Sequence, residues 1–211
     1  MNEPRRDRFP LADRDKIQIA GSFSRKSDVY AEEAALQNSL DARICRTFGG
    51  LKTPPATVLD AGCGTGYLLS LLLEALPQTE LTGLEIAPGM ISAARRRLAA
   101  AADSVHWVLA DLDLWHSDPR FDAVACNYVL QWTGDPCAVV RKFADSLRPG
   151  GMLAVAVPVE GSFCELNEAY VRATGHELEA VRLLSPDRYT DAMNSSGLEP
   201  IEIDIRELIV P

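Results

Sequence analysis

A loop with three alternate glycines, set between an apolar run and a helical pattern, constrains the fold of this chain more than any other feature. It reads Val58-Leu59-Asp60-Ala61-Gly62-Cys63-Gly64-Thr65-Gly66. Glycines at alternate positions let the backbone turn tightly and let a ligand approach it closely. The third glycine comes one residue earlier than in the dinucleotide pattern G-x-G-x-x-G, where Tyr67 now stands. The loop therefore favours a nucleoside without a pyrophosphate, the alternative being a glycine turn that serves packing alone.

Short apolar runs alternate with helical patterns around this loop. Strands are predicted at residues 57–60, 80–86, 105–110, 121–127, 152–159 and 201–210. Helices are predicted at residues 67–76, 88–102, 135–146, 163–173 and 185–197. This alternation predicts an α/β fold with a doubly wound, mostly parallel sheet. The last strand alternates isoleucines with charged residues, which predicts a place near the sheet edge.

The N-terminal part has a different texture. Residues 1–21 are predicted to form a flexible or loosely docked arm, and a helix is predicted from Ser27 to Phe48, ended by Gly49-Gly50. The chain is thus expected to divide into an arm with a lid helix at residues 1–54 and a ligand-binding domain at residues 55–211.

Charge and cysteine usage exclude several classes of protein. A net charge of −9 argues against a general nucleic-acid binder, without excluding a local basic patch. The five cysteines and three histidines are scattered, so neither a disulfide framework nor a metal site is predicted. No run is long enough for a membrane helix, and the charged start lacks the apolar segment of a secretory signal. A cytoplasmic protein is the expectation.

Three polar side chains close successive predicted strands. Glu85, 23 residues after Gly62, can accept hydrogen bonds from both ribose hydroxyls of a nucleoside. Asp111 can accept from an exocyclic adenine amine, and Asn127 faces the glycine loop across the crevice between the first and fourth strands. Plainer alternatives are a partner for a helix dipole, a surface turn acid and an Asx turn, respectively.

Taken together, these segments resemble the motif series of class I S-adenosylmethionine-dependent methyltransferases, a Rossmann-like family. The segments are residues 60–66, Leu84-Glu85, Ala110-Asp111, Phe121-Asp122 with Asn127, and Leu147-Arg-Pro-Gly-Gly151. The resemblance implies S-adenosyl-L-methionine as cofactor and S-adenosyl-L-homocysteine as product. The cofactor-binding residues it implies are Asp60, Gly62, Gly64, Gly66, Glu85, Ile86, Met90, Asp111, Leu112 and Asn127.

The flanking segments resemble the malonyl-[acyl-carrier protein] O-methyltransferases of biotin synthesis. They are Phe23-Ser-Arg25, Tyr30, Ala35-Leu36-Gln37, Leu130-Gln131-Trp132, Gly161-Ser162, Glu165-Leu166 and Arg182-Leu-Leu-Ser-Pro-Asp187. This resemblance implies methylation of the free malonyl carboxylate. The alternatives are another small-acid methyltransferase, such as one acting on trans-aconitate, a methyltransferase of another small molecule, or a cofactor-binding module with little turnover. The family usually continues through a further helix and an antiparallel strand, which this chain is expected to lack.

The expected chemistry needs positioning rather than acid–base groups. A carboxylate is already ionised at pH 7, so no general base is required. Arg25 and Arg182 are candidates to bind the acceptor carboxylate, and Trp132 is a candidate pocket wall. Tyr30 and Gln37, seven residues apart, would share one face of the lid helix. Each has a plainer alternative, as a solvated arginine or a packing residue.

An acidic acyl-carrier protein is the partner that this resemblance implies. Its docking would need a local basic patch. The available residues are Arg95-Arg96-Arg97, Arg141-Lys142 and Arg148, with solvated helix surfaces as the favoured alternative.

Overall fold

A parallel sheet with helices on both faces organises the described residues, which in this computed structural model are 13–118, 120–176 and 183–206. The helices are α1 (Asp13–Glu33), α2 (Ala35–Gly49), α3 (Tyr67–Ala75), α4 (Pro88–Leu98), α5 (Pro136–Ser146), α6 (Cys164–Thr174) and α7 (Pro186–Ser195). The strands are β1 (Thr57–Ala61), β2 (Glu80–Glu85), β3 (Val105–Leu109), β4 (Phe121–Asn127) and β5 (Leu147–Ala156). Short 3₁₀ turns lie at Ala99–Ser104 and Leu130–Trp132.

The strand order creates a crevice beside the glycine loop. In the described part of the chain the order is β3-β2-β1-β4-β5, and every neighbouring pair is parallel. The chain therefore reverses direction across the sheet between β1 and β4. Ligands of open α/β sheets bind outside the carboxyl ends of the strands at such a point. The doubly wound parallel sheet predicted from the sequence is confirmed.

Alternate residues of each strand supply two separate apolar cores. Val58 of β1 faces the core that α2, α3 and α4 cover, whereas Leu59 faces the core that α5 and α7 cover. Because a parallel sheet is covered on both faces, its central strands are mainly apolar, with polar residues close to the strand ends. This burial fixes the strand ends, and with them the loops that carry polar side chains.

The N-terminal helices correct two predictions. Helix α1 already runs from Asp13, where an arm was expected as far as residue 21, and residues 1–12 lie outside the described residues. The single helix predicted from Ser27 to Phe48 is also wrong, because the chain leaves helical geometry at Ala34. Helix α2 buries Ile44, Cys45 and Phe48 against the sheet core.

The C-terminal prediction is also wrong where it can be compared. Residues 201–206 form no strand, because they make no ladder pairing with β5 or with any other strand that the structure describes. The isoleucines of this segment are exposed, and Arg43 of α2 holds it through ion pairs with Glu202 and Asp204. Residues 207–210 of the predicted strand lie outside the described residues. In the described part of the chain, the sheet therefore ends at β5 on this side.

Two smaller boundaries also differ from the predictions. The helix predicted at residues 88–102 ends at Leu98, and Ala99, with a φ of +50°, begins a 3₁₀ turn. Strand β5 begins five residues earlier than predicted, at Leu147, with a register irregularity opposite Phe121. None of the helices in the described ranges has the length and apolar character needed to cross a lipid bilayer.

We expect Leu59→Ala to destabilise the fold by about 2–5 kcal/mol, because it leaves a cavity in a closed core. Leu59 is 0% exposed, whereas Leu114 is 74% exposed, so Leu114→Ala is the matched control. Urea unfolding followed by circular dichroism measures both variants. Equal, small losses of unfolding free energy in the two variants would contradict the core described above.

Candidate active site

A cavity lies at the carboxyl ends of β1, β2, β3 and β4. The space between its lining residues, including the part that is open to solvent, is about 740 Å³. Its lining residues are Lys16, Ile19, Phe23, Gly62, Gly64, Leu84, Glu85, Ile86, Met90, Ala110, Asp111, Leu112, Asn127, Tyr128, Val129, Trp132 and Thr133. Eight of the ten residues predicted to bind the cofactor therefore line this cavity, the exceptions being Asp60 and Gly66.

The glycine loop is held open by its contacts with neighbouring strands. The N–H groups of Gly62 and Cys63 both donate to the carbonyl oxygen of Leu84, at 2.7 and 2.9 Å. A Cβ atom at Gly62 would overlap the side chain of Val129. A Cβ atom at Gly64 would meet nothing within 4 Å, so the loop leaves backbone open towards the cavity there.

Gly66 has a different role in the fold. It is the N-cap residue of α3 and has a φ of +75°. A Cβ atom at this position would lie 2.9 Å from the Cβ of Ala94 on α4. The third glycine therefore allows α3 and α4 to pack closely. Its predicted contact with the cofactor stays a prediction.

Glu85 joins the glycine loop to the end of β2. Its Oε2 accepts from the N–H of Gly64 at 3.1 Å, and its Oε1 accepts from the N–H groups of Ile86 and Ala87, both at 2.9 Å. Burial raises the pKa of this carboxyl, and the three N–H groups oppose that shift. A carboxylate offers about four acceptor positions, so about one remains, on Oε2, for a ligand hydroxyl.

Asp111 is tied to α1 by a lysine that sequence reasoning missed. Lys16 donates to Asp111 Oδ2 at 2.6 Å and also binds Asp113. Burial alone would lower the pKa of Lys16, but the two carboxylates raise it above its ordinary value. Asp113 also accepts from the N–H of Gly134, at 2.7 Å. The adenine end of the predicted site thus carries a partly neutralised cluster, one lysine between two carboxylates, that anchors α1.

One face of α1 forms a wall of the cavity. Lys16, Ile19 and Phe23 follow each other at spacings of three and four residues, which places them on one helix face. The Phe23 ring meets Trp132 edge-on, with centroids 5.5 Å apart. This helical spacing is present in the sequence, but it was not recognised because residues 1–21 were predicted to form an arm. Trp132 itself lines the cavity, as predicted for a wall residue.

Two buried polar oxygens beside the cavity lack partners. Asp60 is 3% exposed, and its Oδ2 has no hydrogen-bond partner among the described residues. The same holds, within those residues, for Oδ1 of Asn127. Burial raises the pKa of Asp60 well above its ordinary value, and the charges of Asp41 and Glu85 add to that shift. Unpartnered buried oxygens are costly, so a donor group from a ligand would stabilise them.

Among the acceptor-side candidates whose side chains the structure describes, Trp132 lines the cavity and Arg25 and Gln37 do not. Arg25 is exposed on α1 and does not line it. Tyr30 lies on α1 and Gln37 on α2, so the break at Ala34 removes the shared helix face that was predicted for them. The side chain of Tyr30 and the whole of Arg182 lie outside what the structure describes. Their roles towards an acceptor stay predictions.

Most of the candidate docking cations serve internal contacts. Arg97 donates to the carbonyl of Thr65 at 2.9 Å, and Arg95 lies over the Trp107 ring. Lys142 donates to the carbonyl oxygens of Leu112 and Asp113. Arg148 pairs with Asp122 at 3.0 Å, and Arg141 lies 3.9 Å from Asp135. These side chains brace helices and loops, which weakens the case for them as docking residues.

Known proteins resemble this chain in sequence and in fold. A family model described as a methyltransferase domain matches residues 59–153. The malonyl-[acyl-carrier protein] O-methyltransferase of Laribacter hongkongensis is 31% identical over 206 residues, which are 93% of this chain and 68% of that protein. The protein of the same name from Anoxybacillus flavithermus is 32% identical over 159 residues, covering 75% of this chain and 60% of the relative.

Solved structures match the fold at lower identity. The mitomycin 7-O-methyltransferase superimposes with a TM-score of 0.65 at 20% identity, covering 86% of this chain and 54% of that one. A plantazolicin methyltransferase solved with S-adenosylhomocysteine superimposes with a TM-score of 0.55 at 18% identity, covering 88% and 64%. These matches identify the fold as that of the class I S-adenosylmethionine-dependent methyltransferases.

Within that class the relatives define the group more closely. The chain belongs to the malonyl-[acyl-carrier protein] O-methyltransferase family. It spans 60% of the length of the A. flavithermus relative and 74% of the relative from Methylococcus capsulatus.

The residues at the cavity fit the cofactor of this class. Glu85 presents an acceptor for a ribose hydroxyl, and Asp111 lies at the adjacent strand end. The unpartnered oxygens of Asp60 and Asn127 suit the hydrogens of an ammonium group. Open backbone at Gly64 allows a ligand to approach closely.

We expect Glu85→Ala to weaken S-adenosylhomocysteine binding by about 1–3 kcal/mol, the range for a lost buried hydrogen-bond partner. Calorimetry measures the affinity, and thermal melting shows whether the loop that Glu85 holds stays folded. Glu80→Ala, an exposed position at the other end of β2, is the control and should bind like the wild type. Unchanged affinity in Glu85→Ala, or tight binding of NAD to the wild type, would contradict the site.

Proposed function

We propose that this chain transfers the methyl group of S-adenosylmethionine to the free carboxylate of a malonyl-acyl-carrier protein in early biotin synthesis. The observation that carries the proposal is the similarity to proteins of that named activity, which extends over 206 residues in the L. hongkongensis relative. That alignment covers 93% of this chain, so it extends well beyond the nucleotide-binding motifs.

The titratable side chains that line the cavity suit an acceptor that is already ionised. Glu85 is engaged by three backbone N–H groups, and Lys16 joins Asp111 to Asp113. Burial raises the pKa of Tyr128, which keeps its phenol protonated at neutral pH. A carboxylate acceptor needs no proton removed before it attacks, since its ordinary pKa is near 4. The described cavity thus supports O-methylation of an acid without a general base.

The cofactor supplies an electrophilic methyl group on a positively charged sulfur. For its binding, Glu85 would accept from a ribose hydroxyl, Asp111 and Leu112 would border the adenine, and Asp60 would accept from the ammonium. Ile86 and Met90 line the cavity beside Glu85. These contacts would hold the methyl carbon in line with an acceptor oxygen, and alignment of this kind lowers a barrier by roughly 7–11 kcal/mol.

Apolar side chains on α1 and after β4 would keep water away from the reacting atoms. Ile19 and Phe23 come from α1, and Val129 and Trp132 follow β4. Because opposite charges are lost as the methyl group moves, a dry pocket favours the transition state over the separated ions. The chain's contribution to catalysis is therefore positioning and desolvation.

The exposed position of Arg25 suits this chemistry. A guanidinium paired with the reacting carboxylate would stabilise the ionised ground state more than the transition state, in which that charge disappears. An arginine beside the entrance can instead meet an acidic carrier protein. Arg25 and Lys26 are both exposed on α1, one turn from the cavity-lining Phe23.

The proposal is tested by offering three acceptors side by side, namely malonyl-acyl-carrier protein, malonyl-coenzyme A and trans-aconitate. We expect a methyl ester, seen as a mass gain of one CH₂ and removed by mild base, with the highest kcat/KM on the carrier-bound malonyl group. Reactions without S-adenosylmethionine and with Glu85→Ala are the controls. Faster methylation of trans-aconitate would assign the chain to another acid, and cofactor binding without any product would indicate a binding module.

A further inference from the structure

Helix α2 buries a carboxylate, Asp41, that has no part in the functions assigned above. Asp41 is 9% exposed and lies on the same buried face of α2 as Ile44, Cys45 and Phe48. Its Oδ1 accepts from Nδ2 of Asn127 at 2.7 Å. An acid on an otherwise apolar helix face is costly unless it is paired or binds a ligand.

Asp41 fixes the orientation of the Asn127 amide. Nδ2 of Asn127 donates to Asp41 Oδ1 at 2.7 Å and to the main-chain carbonyl of Gln37 at 2.9 Å. Turning the amide over would place its oxygen against two acceptor oxygens. Both amide hydrogens are therefore used by α2, and Oδ1 remains as a buried acceptor without a partner in the described chain.

Asp60 adds a second unpartnered oxygen to the same place. Asp60 lies near the carboxyl end of β1 and Asn127 lies at the carboxyl end of β4. These two neighbouring strands flank the crevice. The charge of Asp41 is close enough to Asp60 to raise its pKa. Lys16, the cation that lines the cavity in the described part of the chain, is bound to Asp111 and Asp113 instead. The methionyl end of the site is thus a chamber of acceptor oxygens that lacks a cation.

The pKa values of the carboxyl groups around this chamber are raised, which is the direction expected where buried acids lie close together. Burial raises the pKa of Asp41 to about 6, against the lowering effect of the Asn127 amide. Burial also raises the pKa of Asp60 on β1, of Glu85 on β2 and of the thiols of Cys63 and Cys126, and the charge of Asp60 adds to the shift of both thiols. A bound cation would favour the ionised forms of the carboxyls.

We propose that Asp41 is a positioning residue for the ammonium of the cofactor's amino-acid part: it holds the Asn127 amide with Oδ1 inward and completes, with Asp60, an anionic chamber. This inference rests on the proposed function, since it assumes a cofactor with a methionyl end. Helix α2, outside the glycine-loop motif, therefore determines recognition of the amino-acid half, whereas Glu85 and Asp111 serve the nucleoside half.

The test compares two ligands that differ only in that half. S-adenosylhomocysteine carries the amino-acid part, and 5′-methylthioadenosine is the corresponding sulfide without it. Asp41→Asn keeps an acceptor oxygen for Asn127 but removes the charge. We expect this variant to lose about tenfold or more in affinity for S-adenosylhomocysteine and less than about twofold for 5′-methylthioadenosine, as measured by calorimetry.

Asp145→Asn is the matched control, because it makes the same change of charge at an exposed position of α5. It should bind both ligands like the wild type. Equal losses for both ligands in Asp41→Asn would show that Asp41 only packs α2 onto β4, and would overturn the inference. Failure of the wild type to bind either ligand would overturn the proposed cofactor role as well, so the two failures are distinguishable.

The pH profile of binding gives a second readout that does not depend on the Asp41→Asn variant. As the pH falls through about 6, Asp41 takes up a proton that an ammonium must displace, so affinity for S-adenosylhomocysteine should fall. Affinity for 5′-methylthioadenosine should stay level. Because Asp60 also titrates, Asp60→Asn is measured in parallel, and the step that remains there belongs to Asp41. A constant affinity ratio of the two ligands between about pH 8 and pH 5 would overturn the inference.

Discussion

Three backbone N–H groups converge on one buried carboxylate, Glu85, and the geometry of the site depends on that interaction. Gly64 donates from the glycine loop, and Ile86 and Ala87 donate from the turn into α4. A buried carboxylate is stable only when it is well hydrogen-bonded, so the chain must bring the loop to the end of β2. The same contacts leave open backbone at Gly64 and a spare acceptor position on Glu85. The requirement to stabilise one buried charge thereby produces a nucleoside-binding crevice.

Charge divides this crevice into two unlike halves. At the adenine end, Lys16 partly neutralises the pair Asp111 and Asp113 and ties α1 across the cavity. At the other end, Asp60, Asp41 and the oxygen of Asn127 lie together without a cation among the described residues. A ligand with a neutral base at one end and positive charges at the other matches this distribution. S-adenosylmethionine, the methyl donor of the class to which the relatives belong, carries a sulfonium and an ammonium at that end, beside its carboxylate.

Local sequence signals were sufficient for the sheet and for most of the cavity. The glycine spacing and the polar residues at strand ends follow from rules that act within a few residues, so Glu85, Asp111 and Asn127 could be placed in advance. Lys16 and Asp41 could not be placed, because their partners lie 95 and 86 residues away and only the folded sheet brings them together. The prediction of a final strand at residues 201–210 was wrong over residues 201–206 for a related reason. Its alternation is genuine, but a strand forms only beside a partner, and Arg43 instead holds Glu202 and Asp204 against α2.

Amide hydrogen exchange with and without S-adenosylhomocysteine tests the central claim, that the cofactor binds at the carboxyl ends of the strands beneath α1. The account predicts slower exchange in the glycine loop, in residues 85–90 and 127–133, and in α1, because bound ligand closes those backbone groups to water. Residues 55–58 and 146–150, at the opposite ends of the strands, should exchange at unchanged rates. Protection confined to those opposite ends, or binding by calorimetry without protection of the glycine loop, would contradict the account.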